Sequence, residues 1–453
     1  MNTSTLQSRG WLPRDPKAIR SWRLAGFIQH VDMGPKRPLA GVLQTFKHLI
    51  EHEPGLKELA NGMFNEVPDD AFYDYDPSGH DGRVRDYRHM LALFNEVLVM
   101  LPKWNESAAS AGMAGAPFNA ILAWPMATAS GHAFFLNRKV NRALQGILRQ
   151  WGELLQSEGS AEAVDSWLDK PAADTELFQQ LYVCDPSKPH YGFTSWDAFF
   201  VREFRDGVRP VAALDDGSPV AFPSVGVVDP TFVIVSPCES VSYWRSSGVQ
   251  ARDTFWLKGQ PYSLLEMLDY DALAPHFIDG TVHQSWVAAE SYHRWHAPVG
   301  GRIVKVARVP GAFFAQHPSQ GFPDPDPTGQ NFSLSYLTSV ATRCLIFIEA
   351  DNPLIGLICF IALDMMDVSS CEITVRSGQR VSKGDQIGMF HFGGSSHCLV
   401  FRPGVDLDWI KEASPPFCGD NCSSPKMIPV RGKLACVRKP EMQEDPEGYV
   451  VVN

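Results

Sequence analysis

Apolar side chains in the first part of the chain recur with a helical period. Tyr87, Leu91, Phe94 and Leu98 fall on one face, and Val140, Leu144, Ile147, Leu148, Trp151 and Leu155 repeat the arrangement. Each segment predicts a helix that buries one stripe against its neighbours. Between them, residues 61–82 are crowded with Asp, Pro and Gly and read as a loop. The helical pattern breaks at residues 186–192, within DPSKPHYG, which places a boundary between a helical region, 1–185, and a second unit, 186–453.

In that second unit the period shortens. GRIVKVARVP (301–310), RCLIFIEA (343–350), PLIGLICFIAL (353–363), residues 371–392 and SHCLVF (396–401) are short β-branched or aromatic runs punctuated by Gly and Pro. The pattern predicts a mostly antiparallel β-rich domain with a small barrel-sandwich-like core, so the fold class is α+β. Gly378, Gly384 and Gly388 lie around these strands, where turns of positive φ are expected.

Charge and composition then remove several functions. The net charge of -11 opposes nucleic-acid binding and gives no general attraction to anionic membranes. The run at 353–363 is strand-length and ends at Asp364, and no other window approaches a membrane-crossing helix, so stable membrane insertion is not expected. Arg9, Arg14, Lys17, Arg20 and Arg23 are interrupted by Pro13 and Asp15 with no apolar segment behind them. That argues against a secretory signal, with a mitochondrial presequence as the competing reading. Nine cysteines with no CxxC pair suit reduced thiols in the cytoplasm. Cys418 and Cys422 form at most half a metal site, and no metal is expected.

Three patches carry candidate chemistry. GGSS (393–396) reads as a tight turn or as a reactive serine, since Gly394 permits the backbone geometry in which the Ser395 hydroxyl attacks the preceding carbonyl. YHRWHAP (292–298) holds His293 and His296, which suit a structural role, metal chelation or acid–base work. SPCESVS (236–242) holds Glu239, either a solvated charge or a carboxylate that orients a histidine. Phe313, Phe314, Trp295 and Phe392 lie near these patches in sequence, as core or as an apolar slot for an aromatic substrate.

In order and spacing, REFRDGVRP (202–210), SPCES (236–240), YHRWHAP, VPG (309–311) and GGSS resemble the marks of the phosphatidylserine decarboxylase family. The similarity is greater to a water-soluble branch of that family, and the lack of a family-type membrane anchor fits a small soluble substrate. The resemblance implies self-cleavage between Gly394 and Ser395 into 1–394 and 395–453. His296, held by Glu239, would deprotonate Ser395, which ends as a covalent pyruvoyl cofactor. It further implies decarboxylation of an aromatic L-amino acid, L-tryptophan to tryptamine being expected, through a Schiff base with the pyruvoyl group, and His293 as proton donor. Where the family has Asp-Gly, this chain has Glu239-Ser240. A soluble phosphatidylserine decarboxylase and a non-catalytic binding protein that has lost processing are the alternatives.

Overall fold

In the computed structural model, residues 27–67, 84–104, 116–122, 125–169, 174–252, 262–315, 329–365, 367, 371–392, 394–414, 426–439, 443–444 and 450–451 are described. The basic N-terminal stretch, Cys418, Cys422 and Gly393 lie outside them. The helical part contains α1 (Gly41–His52), α2 (Leu56–Asn65), α3 (Tyr87–Val97), α4 (Arg138–Leu155), α5 (Glu162–Leu168) and α6 (Trp196–Phe200). Both periodic segments are helices. In α4 every apolar position of the pattern is buried, and Asn137 caps its start by accepting from the Lys139 N–H at 2.8 Å. The stretch read as a loop from residue 61 begins as helix, because Met63 and Phe64 complete the buried stripe of α2; residues 68–82 lie outside the described set.

The β-rich part is built from β1 (Ser240–Val249), β2 (Gly280–Val287), β3 (Arg294–His296), β4 (Gly301–Val309), β5 (Arg343–Ala350), β6 (Leu357–Met365), β7 (Cys371–Ile373), β8 (Arg380–Val381), β9 (Gln386–Phe390), β10 (Gly394–Phe401) and β11 (Met427–Ile428). An antiparallel sheet runs in the order β8-β4-β5-β6-β10-β2-β1-β11, and a smaller one in the order β7-β9-β3. Neither closes into a barrel. The large sheet is apolar on both faces because each face is covered. Leu345, Phe347, Ile361, Leu363, Cys398 and Val400 join the core shared with the helices. Ile346, Ile348, Phe360, Ala362, Leu399 and Phe401 join a second core with Trp295 and Phe390 of the small sheet.

The glycine expectation holds for Gly378 and Gly384, whose φ values are +86° and +88°, but not for Gly388. Gly388 is needed for space: a Cβ there would sit 2.4 Å from the Trp295 ring and 2.4 Å from the Glu372 carbonyl oxygen.

Candidate active site

Ser395 is not in a turn. It lies in β10, a strand flanked on both sides, opposite Val287 of β2 and Asp364 of β6. The Gly394–Ser395 peptide bond is therefore part of the sheet, and Gly394 pairs with Met365. Ser395 is 4% exposed, and its Oγ has no hydrogen-bond partner among the described residues. Its neighbour Ser396 faces the helices, where Oγ accepts from Gln284 Nε2 at 3.1 Å and donates to the Ser285 carbonyl at 2.9 Å. The two serines thus differ sharply: one hydroxyl is fully engaged and the other is free to react.

The remaining motif segments converge through backbone contacts. Arg202 donates to the carbonyls of Glu290 and Ser291 at 2.5 and 3.0 Å, just before Tyr292. The His296 N–H donates to the Pro237 carbonyl at 2.9 Å, and the Phe390 N–H to the His293 carbonyl at 2.9 Å. Three-residue spacing on the short strand β3 and its approach sends the two histidine rings to different surroundings. His293 is stacked on Phe200 at 3.7 Å, and neither ring nitrogen has a partner at hydrogen-bonding distance among the described residues. Burial, followed by the nearby Arg202 charge, holds its pKa well below the ordinary value. His296 donates from Nδ1 to the Gly384 carbonyl at 2.8 Å, so Nε2 accepts from the Tyr292 hydroxyl at 3.0 Å. Burial and then Arg431 bring its pKa down to about 3.

Glu239 does not hold His296. It is 2% exposed and accepts from Arg209, Nη2 to Oε1 at 2.6 Å and Nε to Oε2 at 3.1 Å and to Oε1 at 3.3 Å, while the Val430 N–H donates to Oε2 at 2.9 Å. Both of its oxygens are occupied, and so are both His296 ring nitrogens, so the expected Glu239–His296–Ser395 relay is not formed. The physical reason is a competing cation: Arg209, from REFRDGVRP, offers a fork that matches the carboxylate. In the sequence Arg209 stands out only as part of that motif.

The four aromatics separate. Trp295 lies in the small-sheet core against Phe390 and Phe360, with ring centroids 4.8 and 5.5 Å away. Phe313, Phe314 and Phe392 lie in the core shared with the helices. Phe314 packs on Phe135, and the Phe313 N–H donates to Asn141 Oδ1 of α4 at 3.0 Å. Of the four, Phe392 reaches the surroundings of His293: it packs on Phe200, which stacks on His293, and also on Trp151 and Trp196. Trp151 comes from α4, where the periodic pattern marked it only as a buried position, and Trp196 and Phe200 come from α6, which the sequence pattern did not single out.

Comparison with known proteins agrees with this architecture. Family models described as phosphatidylserine decarboxylase match residues 40–175 and 196–416. The chain is 36% identical over 397 residues to an L-tryptophan decarboxylase of Psilocybe cubensis, covering 83% of each chain. It is 34% identical over 416 residues to the L-tryptophan decarboxylase of Psilocybe cyanescens, covering 87% of this chain and 88% of the relative. It is 40% identical over 313 residues to decarboxylase iboD of Amanita muscaria (strain Koide BX008), covering 64% of this chain and 84% of the relative. The chain is thus a carboxy-lyase of the pyruvoyl-dependent kind. It belongs to the phosphatidylserine decarboxylase family. Among the described residues no helix is long and apolar enough to cross a membrane.

Proposed function

We propose that the chain cleaves itself between Gly394 and Ser395 and decarboxylates an aromatic L-amino acid, L-tryptophan to tryptamine being the favoured reaction. The observation that carries this is the buried, unpartnered Ser395 hydroxyl, directly after a glycine carbonyl within a rigid strand. Those residues fit the conversion of Ser395 into a pyruvoyl group. A ketone at this position supplies the acceptor for the electrons left behind when CO2 departs.

The protein's own residues do the rest. His293, kept neutral by burial, has both ring nitrogens available, so it can take up a proton on one and deliver one from the other to the carbon that lost CO2. The rings of Phe392, Phe200, Trp196 and Trp151 form an apolar wall beside it, which favours an aromatic side chain over a lipid headgroup. Tyr292 and Gly384 fix the His296 ring, and Glu239 with Arg209 anchors the segment against which His296 rests.

Denaturing gels and intact masses test the first half. The wild-type chain separates into 1–394 and 395–453, whereas Ser395→Ala stays a single 50.3 kDa polypeptide. Carbon dioxide release from tryptophan, phenylalanine, tyrosine and phosphatidylserine tests the second. Turnover of the phospholipid alone would refute the aromatic assignment, and an unbroken yet active wild-type chain would refute the whole reading.

A further inference from the structure

His391 lies between β9 and β10, just before the Gly394–Ser395 bond, and the reaction proposed above does not use it. Both of its ring nitrogens face carboxylates. Nδ1 lies 2.9 and 3.0 Å from the two carboxylate oxygens of Asp197, and Nε2 lies 3.1 Å from Oε2 of Glu372. A neutral imidazole has one N–H and one lone pair, so it would set that lone pair against oxygens that can only accept. An imidazolium donates from both nitrogens and satisfies both contacts, so the geometry is that of the protonated ring. Burial alone would lower the His391 pKa, but the Asp197 and Glu372 contacts outweigh it and raise the pKa above the ordinary 6.5. The charged and titratable groups around the ring are Asp197 on α6, Glu372 on β7 and, on β6, Asp364, whose carboxyl feels the His391 charge.

What this bridge holds in place is α6. The helix has five residues, too few to persist without tertiary contacts. Ser195 caps its start by accepting from the Ala198 N–H at 3.0 Å, and Asp197 lies in its first turn. Trp196 at its start and Phe200 at its end pack on Phe392, the residue after His391, with ring centroids 5.5 and 5.3 Å away. Phe200 also stacks on His293 at 3.7 Å. One cationic side chain thus ties the segment that leads into Ser395, and the small sheet beside it, to the helix against which His293 rests.

We propose that His391 is a positioning residue for decarboxylation: as a cation it clamps α6 to β7 and to the approach of β10, which keeps Phe200 against the His293 ring and the aromatic wall closed. This deepens, and rests on, the decarboxylase reading above. The clamp is complete below the His391 pKa. It loosens as pH rises through that value, because the neutral ring must release one of the two carboxylates.

The test uses full-length protein that has completed scission and follows CO2 release from the aromatic amino acid turned over fastest, with kcat and KM profiled separately from acid to alkaline pH. The wild-type kcat falls along an alkaline limb whose midpoint lies above 6.5. His391→Gln, neutral throughout, lowers kcat by up to roughly 10²-fold on the acid side, as a displaced catalytic group does, and removes the limb. His391→Lys restores a cation, recovers part of the rate and moves the limb to much higher pH. Glu372→Gln alters a side chain that is 50% exposed, so it tests the clamp even where a His391 variant does not fold. Removing that one carboxylate moves the limb down by roughly 0.2–0.7 pH unit. Wild-type kcat in His391→Gln, a limb that stays in place in both His391 variants, or an unmoved midpoint in Glu372→Gln overturns the proposal. Absence of CO2 release from tryptophan, phenylalanine and tyrosine by the wild type overturns instead the reading beneath it.

Discussion

Arg209 and Glu239 show how single residues divide the work. Their ion pair is nearly enclosed on the Glu239 side, so removing the guanidinium strands a buried carboxylate. Arg209→Ala should therefore cost about 3–5 kcal/mol in urea unfolding. His293 makes a different prediction because it carries no hydrogen bond whose loss would loosen the fold. His293→Gln should leave scission intact and lower the rate of CO2 release by the cleaved protein roughly 10²–10⁴-fold. Loss of scission in that variant would instead assign His293 to processing. Ser395, His293, His296 and Glu239 were all legible in the sequence as members of motifs. Their contacts were not, because Tyr292 and Arg209 reach His296 and Glu239 through side chains, and Gly384 reaches His296 through its carbonyl, only once the chain is folded. Asp364 read only as the polar end of an apolar run.

At the scale of elements, period decided what could be read. α3 and α4 follow directly from it, since each repeats its buried positions for two or more turns, whereas β4 and β5 follow from their short apolar, β-branched runs. β3 is too short to show a period, and Pro298 and Gly300 after it signal a loop. It becomes a strand because β9 offers it an edge, with Gly388 opposite Trp295. That pairing makes Gly388 a point of weakness. Gly388→Ala forces a methyl into the Trp295 ring and should cost roughly 1–3 kcal/mol by overpacking, visible as a lower urea midpoint with an unchanged slope. The GGSS segment shows the opposite failure: its composition suggests a turn, but the apolar run behind it draws residues 394–401 into the sheet.

For the whole molecule, buried titratable groups set an acid limit. His283, His296 and His397 are brought to about 3 by burial, and His293 is lowered in the same direction. Their folded pKa lies below the ordinary 6.5, so the unfolded chain binds the extra protons and stability is lost as pH falls from 6.5 towards 3. Asp364 and Asp367, raised to about 7, work in the other sense, losing stability as pH rises from 3.8 through 7. Four histidines outweigh two carboxyls between pH 6.5 and 4. The melting temperature should fall steadily over that interval, as a series of thermal scans will reveal; a flat profile would mean that these histidines are hydrated.

The position of β10 would govern the timing of the proposed self-processing during synthesis. Both strands that flank it are translated earlier, and the large sheet remains split until residues 394–401 leave the ribosome and fill the gap. A message truncated before that point yields a polypeptide that has both flanking strands but lacks the serine between them. On the self-processing proposal, the electrophile arises only in copies that have finished assembling their central layer.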